Sequence, residues 1–181
     1  MRKMDRTDTS TQSILSACRG KETSAWNRFY RDYASTIYRW VVFLGIHENN
    51  AEEVTQEVFL TAYRKIDTCA GEAQLKSWLF QITRKQAANY RRSAWFKRIW
   101  NRQRTELSDQ EAHDEKRGMT PEMKQLLTSL PSNLTEVLLL HDLEGFTLNE
   151  IARMLNVPQG TIASRLRAAR QRFTAEWWEE R

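Results

Sequence analysis

The stretch GFTLNEIARMLNVPQGTIASRLRAARQR, Gly145 to Arg172, constrains the fold of this chain more than any other. Thr147 suits a helix N-cap, and Glu150 three residues later completes a capping box. Leu148, Ile151, Ala152 and Leu155 follow at helical spacing. Asn156, Val157 and Pro158 break that helix, because proline disfavours helical geometry in the residue before it. A second helix starts at Gln159, with Ile162, Leu166, Ala169 and Phe173 on one face. Thr161, Ser164, Arg165, Arg167, Arg170 and Arg172 occupy the other, and no Asp or Glu lies between Glu150 and Glu176. Capping, turn, apolar stripe and one-signed polar face agree on a helix-turn-helix, whose second helix can enter a DNA major groove. An ordinary amphipathic pair with a solvated basic face explains each feature separately but not their agreement.

Upstream, the pattern is helical throughout. Ser10 to Arg19 reads as a short helix with Ile14, Leu15 and Cys18 inward. From Ser24 to Leu44, Trp26, Phe29, Tyr30, Tyr33, Ile37, Val41 and Leu44 recur at three- and four-residue steps and draw a broad aromatic stripe. Gly45 ends it. Asn50 with Glu53 predicts a second start, and the helix Ala51 to Ile66 turns Val54, Val58, Ala62 and Ile66 inward. Its other face leaves Glu52, Glu53, Gln56, Glu57 and Phe59 for solvent or a partner. Asp67 to Lys76 reads as a loop, and a long helix follows from Ser77 with Trp78, Leu79, Ile82 and Tyr90 as apolar markers.

Charge is distributed unevenly. The net charge is +5 over 181 residues, yet no acidic residue lies between Glu72 and Glu106. Arg84, Lys85, Arg91, Arg92, Lys97, Arg98, Arg102 and Arg104 punctuate that span beside Trp78, Phe80, Tyr90, Trp95, Phe96 and Trp100. Cations bind a phosphate backbone by counterion release, and aromatic faces stack unpaired bases. The alternative for Trp78, Phe80 and Ile82 is a place in the core, expected for at least half of these aromatics. Glu106 to Gly118 is charged, has almost no large apolar residue and reads as a solvated tether. Beyond it, Thr120 and Pro121 suit an N-cap and first helical position. Met123, Leu126, Leu127 and Leu130 form a stripe that Pro131 stops. Ser132 then caps a helix whose Leu134, Val137, Leu138, Leu140 and Leu143 pack beneath the helix-turn-helix, with Trp177 and Trp178 closing that small core.

The remaining signals are negative. Cys18 and Cys69 form no metal or redox motif and read as free thiols of a reducing cytoplasm. His47, His113 and His141 fall in no ligand spacing, so no metal and no cofactor are expected. No apolar run is long enough to span a bilayer. A soluble, cytoplasmic protein without direct membrane insertion is expected. A phosphoryl- or nucleotidyl-transfer enzyme would need a glycine-rich phosphate loop or clustered carboxylates, and neither occurs.

Four segments in order resemble the sigma factors of bacterial RNA polymerase, in the compact extracytoplasmic-function group of the sigma-70 family. FYRDYASTIYRW is similar to the opening helix of the family's region 2, and NAEEVTQEVFLTAYRKI to the helix that docks on the polymerase clamp. SWLFQITRKQAANYRR resembles the helix that, with the loop before it, binds the minus-ten element as single strand. LPSNLTEVLLLHDLEGFTLNEIARMLNVPQGTIASRLRAAR resembles region 4, which reads the minus-thirty-five element as duplex. The resemblance implies an all-α chain of two small helical domains: region 2 over residues 10–95, a linker over 96–119 and region 4 over 120–178. It implies core RNA polymerase, promoter DNA and a regulatory anti-sigma factor as partners.

Carried over by position, Glu53, Val54, Gln56, Glu57 and Phe59 occupy the core-polymerase contact. Asp67, Lys76, Trp78, Arg84, Lys85, Asn89 and Arg92 lie on the minus-ten side, where the loop captures a flipped base. Gly160, Thr161, Ser164, Arg165, Arg167 and Arg170 approach the minus-thirty-five duplex, Arg167 as first candidate for guanine and Arg170 for phosphate. The departures are Asn50 where relatives open the docking helix with an acid, Thr55 where they carry an aliphatic, and Lys85 and Asn89 on the minus-ten helix. Ala163 and Ala168 stand where a basic residue is frequent. Phosphorylation of an exposed threonine such as Thr55 or Thr61 would restore negative charge to the docking helix. The expected function is promoter recognition and melting as an alternative, signal-responsive sigma factor, with no catalysis of its own. The rival is a helix-turn-helix repressor or activator acting on duplex DNA without polymerase.

Overall fold

A computed structural model describes residues 8–102 and 130–179. Among them every regular element is helical. In chain order these are α1 (Asp8–Arg19), α2 (Thr23–Phe43), α3 (Glu48–Lys65) and a 3-10 turn (Ile66–Thr68). Then come α4 (Glu72–Arg102), α5 (Ser132–Leu138), a π-helical turn (Leu139–Leu143), α6 (Leu148–Leu155) and α7 (Gln159–Glu179). They fall into two compact units, one of residues 1–41 with 50–90, the other of 42–49 with 91–181. The stripe expected from Met123 to Leu127, the cap at Thr120 and the tether lie outside the described residues, as do the side chains of Phe96, Trp100, Phe173, Trp177 and Trp178.

The first unit is built on aromatic packing. Phe29, Ile37 and Trp40 of α2 are fully buried. Trp40 meets Phe80 of α4 edge-on, centroids 5.4 Å apart, and Phe29 meets Phe59 of α3 at 6.1 Å. Trp40 is a core residue that the expected stripe left out, although it lies three residues after Ile37. Tyr30, expected inside, is 48% exposed and leans over Phe59 at 4.7 Å. Val54, Val58, Ala62 and Ile66 are buried as expected. Phe59, expected on the outer face, is instead 8% exposed, because the Phe29 and Tyr30 rings close over it. Each such buried side chain contributes about 1.5–3 kcal/mol.

Two boundaries differ from expectation for local reasons. α3 begins at Glu48, two residues before Asn50, with the Asn49 N–H donating to His47 Nδ1 at 3.3 Å. α4 begins at Glu72 rather than Ser77, so the expected loop shrinks to residues 69–71 after the 3-10 turn. Gly71 precedes the new start, and its carbonyl accepts from the Gln74 N–H at 3.3 Å. Arg19 donates to the Cys69 carbonyl across this loop, tying α1 to it.

In the second unit Leu130, Leu134, Val137, Leu139 and Leu140 form a core with Ile151, Leu155, Ile162, Leu166 and Ala169. Pro131, not Ser132, holds the N-cap position of α5, and Ser132 is its first helical residue. The π turn, in which the Glu144 N–H donates to Leu139 O at 3.1 Å, then breaks the 3.6-residue period. Leu143, expected in the core, is consequently rotated outward and 52% exposed. Gly145 closes this segment at φ 73°, a left-handed geometry that favours glycine.

Candidate functional site

The helix-turn-helix forms as its capping residues dictate. The Glu150 N–H donates to Thr147 Oγ1 at 3.3 Å, and the Thr147 N–H donates to Glu150 Oε2 at 2.8 Å. The Thr147 hydroxyl beside Glu150, with the Thr147 N–H, holds that carboxyl below its ordinary pKa. α6 ends because Asn156 adopts a left-handed φ of 53°, and the Val157 N–H donates back to Ala152 O at 3.0 Å. α7 then starts at once, with the Thr161 N–H donating to Pro158 O at 2.9 Å.

α7 divides its residues between core and surface. Ile162, Leu166 and Ala169 are buried, while Gly160, Ser164, Arg167 and Arg172 are exposed and Thr161 and Arg165 half-buried. Ser164 Oγ donates to Thr161 O at 2.9 Å. Arg170 is engaged differently from its neighbours. Its Nε donates to Asp142 Oδ2 at 3.1 Å and its Nη2 to Asp142 Oδ1 at 2.5 Å, a bidentate pair. His141 Nδ1 lies 2.6 Å from the same Asp142 Oδ1. Hydrogen bonding from Arg170, then from His141, holds the Asp142 carboxyl below its usual range.

In the first unit, Glu53, Gln56 and Glu57 are exposed along α3, whereas Val54 is buried with Phe59 and offers no surface. Sequence reasoning missed two residues of that outer face. Leu60 is 52% exposed and Tyr63 41% exposed, placing an apolar patch directly beyond the acidic residues. The signal was present: Leu60 follows Glu53, Gln56 and Glu57 at i+7, i+4 and i+3, out of phase with the Val54, Val58, Ala62 stripe. Tyr63 is held by Lys21, whose Nζ donates to Tyr63 O at 2.9 Å and sits 4.0 Å from the ring centroid. Thr55 is buried and its hydroxyl donates to Ala51 O at 2.7 Å, so it is no exposed phosphate acceptor. Thr61 is half-buried and accepts from Gln86 Nε2 at 2.7 Å.

Asp67 is exposed in the 3-10 turn, and Lys76 and Trp78 are half-buried on the first turns of α4. Trp78 Nε1 donates to Thr68 Oγ1 at 3.1 Å, which pins the indole beside that turn. Arg84, Lys85, Asn89 and Arg92 are exposed. Phe80 and Ile82 are core, as the structural alternative for them required, while Trp95 is exposed. Arg91 does not join the basic face: it donates to the Leu44 carbonyl after α2. Cys18 and Cys69 are buried free thiols, and burial, reinforced by Glu22, pushes Cys18 up to about 11. Among the described residues no cluster of His, Cys, Asp and Glu could hold a metal ion. No described helix is long and apolar enough to cross a membrane.

Residues 29–97 match the family model of sigma-70 region 2, and residues 121–173 match that of sigma-70 region 4. The chain belongs to the sigma-70 family. Within it the likeness is to the extracytoplasmic-function group. The ECF RNA polymerase sigma-E factor of Escherichia coli is 27% identical over 164 residues, covering 80% of this chain and 80% of that protein. The Haemophilus influenzae sigma-E factor is 27% identical over 179 residues, covering 88% and 91%. Among solved structures, the sigma factor RpoE of Bartonella quintana, in complex with the anti-sigma factor NepR, superposes with a TM-score of 0.70. It has 22% identity and covers 86% of this chain and 98% of that one. CnrH, in complex with the cytosolic domain of CnrY, gives 0.69 at 17% identity, covering 94% and 98%. These two structures bear out the all-α fold. This sigma-70 factor therefore directs RNA polymerase to promoters, and a repressor acting on duplex alone is not favoured, since region 2 is matched in addition to region 4.

Proposed function

We propose that this sigma-70 factor is an alternative, signal-responsive sigma that grips polymerase and the opened minus-ten strand with region 2 and the upstream duplex with region 4. Region 2 covers residues 10–95, the linker 96–119 and region 4 120–178, and the family matches at 29–97 and 121–173 support that division. Glu53, Gln56 and Glu57, continued by Leu60, make the polymerase contact. Asp67, Lys76, Trp78, Arg84, Lys85, Asn89 and Arg92 hold the minus-ten strand. Gly160, Thr161, Ser164, Arg165 and Arg167 read the minus-thirty-five duplex. The protein acts in the cytoplasm and catalyses no reaction. Melting follows from binding energy, since a ligand shifts an equilibrium toward the form it binds better. An anti-sigma factor restrains it, a reading supported by the solved RpoE of Bartonella quintana, captured with the anti-sigma factor NepR.

The observation that carries this reading is the outer face of α7: Ser164 and Arg167 exposed, no acid before Glu176, presented by a capped turn. The test adds the purified chain to core polymerase and maps run-off transcripts on genomic fragments. Transcripts from discrete starts that share two upstream motifs are expected. Absence of any specific transcript, with duplex binding retained, would leave a plain DNA-binding module.

A further inference from the structure

Arg170 sits on the recognition helix, yet its geometry differs from that of the arginines around it. At about 100° per residue, it lies roughly 75° from the centre of the buried Ile162, Leu166, Ala169 stripe and more than about 100° from the outer face centred near Ser164. Arg167 lies within about 50° of that outer centre. Arg165 takes the opposite flank. The flank that Arg170 occupies faces the π turn, where both Asp142 oxygens accept from its guanidinium at 3.1 and 2.5 Å. The π turn also explains why Asp142 is there: the Glu144-to-Leu139 bond shifts the register that turns Leu143 outward. Arg170 is about 15 Å along the axis from Gly160, whereas base contacts in such motifs come from the N-terminal part of the helix.

We propose that Asp142 and Arg170 form an internal brace that sets the angle at which α7 is presented to the minus-thirty-five duplex. Arg170 is then a positioning residue and not a phosphate contact. The bidentate fork fixes two atoms of one helix against two of the preceding segment, which restrains rotation of α7 about its own axis as a single-point contact does not. A rotation there would swing Ser164 and Arg167 sideways in the groove. The proposal rests on α7 being the minus-thirty-five reader.

The test uses the full chain with core polymerase on a promoter obtained by transcript-start mapping, with its minus-thirty-five element intact or scrambled, across a salt series. The variants are Arg170→Gln, Asp142→Asn, both together, the charge swap Asp142→Arg with Arg170→Asp, and Arg167→Ala as reference. The brace predicts a roughly two- to fivefold loss of preference for the intact element in either single variant, and no further loss in the double. It also predicts recovery in the swap, and a salt slope equal to that of the unmodified protein in Arg170→Gln. A phosphate contact predicts instead a slope lower by about 1 in Arg170→Gln with Asp142→Asn neutral, and that result overturns the brace. Unchanged preference in the brace variants, even if their unfolding midpoints fall, overturns it too. If Arg167→Ala also leaves the preference unchanged, the assignment of α7 as reader fails and the brace with it. Loss in Arg167→Ala alone rejects only the brace.

Discussion

Arg167 projects from α7 at a position where nothing within the helix before Glu176 offsets its charge. A bidentate arginine–guanine pair supplies about 1–3 kcal/mol of discrimination. Arg167→Ala is therefore expected to cut transcription from promoters with an intact minus-thirty-five element roughly tenfold relative to the same promoters with one guanine exchanged. Equal loss on both templates, read as run-off product, would reduce Arg167 to a phosphate contact. Trp40 belongs to the opposite category, a residue of the core. It is fully enclosed and set against Phe80. Trp40→Ala is expected to cost about 3–5 kcal/mol, seen as a lower urea midpoint for the region 2 transition. The two thiols give a further residue-scale expectation. Cys18 and Cys69 are both buried, and Cys18 is raised to about 11. Neither is expected to react with a maleimide at neutral pH until denaturant is added, and prompt labelling of the folded chain would contradict the placement.

At the scale of elements, region 4 depends on how its short helices end. α6 has only eight residues, too few to persist alone, so its cap matters disproportionately. Thr147→Ala removes the side-chain acceptor for the Glu150 N–H and is expected to destabilise region 4 by about 1 kcal/mol, measured as a drop in its unfolding midpoint. Glu150 and Asp142 also couple this region to pH. Both carboxyls are held below their ordinary values in the fold, by Thr147 and by Arg170 respectively. A depressed folded pKa stabilises the protein above the unfolded value, around pH 4, and that contribution disappears as pH falls through the folded one. Urea midpoints measured from pH 7 down to pH 3 should therefore fall most steeply below about pH 4. The slope should flatten in Glu150→Gln with Asp142→Asn. A double variant that follows the unmodified curve would show that other carboxylates control acid stability. α3 makes the parallel case in region 2, because one helix has two separate uses. Val54, Val58 and Ala62 hold it in place, and Glu53, Gln56, Glu57 and Leu60 are left outward.

Over two long spans of the molecule, positive charge is separated from negative rather than mixed with it. The span from Glu72 to Glu106 and the span from Glu150 to Glu176 each contain no acid between their ends. Helix α3, by contrast, exposes Glu52, Glu53 and Glu57. On the proposed assignment, DNA and polymerase are addressed by different signs, which speeds correct encounters and disfavours wrong ones. Reversing two of those charges, Glu53→Lys with Glu57→Lys, should abolish co-purification with core polymerase without lowering the unfolding midpoint by more than surface substitutions do, about 0.5 kcal/mol. Retained co-purification would move the contact elsewhere on region 2. Leu60→Ala is expected to weaken the same capture several-fold without affecting the fold, since its side chain is half in solvent.

Most helix positions, the capping box, the basic faces and the outward Glu53, Gln56 and Glu57 of α3 were legible in the amino-acid order. Each is written in relations of one to four residues, such as Thr147 with Glu150 or Val54 with Val58. Two of the exceptions share a cause, since each depends on residues far apart in the chain. Phe59 is covered by Phe29 and Tyr30, thirty and twenty-nine positions away, so an apparent surface aromatic became core. The Arg170 guanidinium found Asp142 twenty-eight positions upstream, so a cation read as a phosphate contact has an internal partner. Leu143 faces out because the π turn abandons the period on which the expectation was built. Local periodicity sets what each helix is. Only packing between helices selects which of its faces remains open to DNA or to polymerase, because burial is a property of the neighbours a residue acquires on folding.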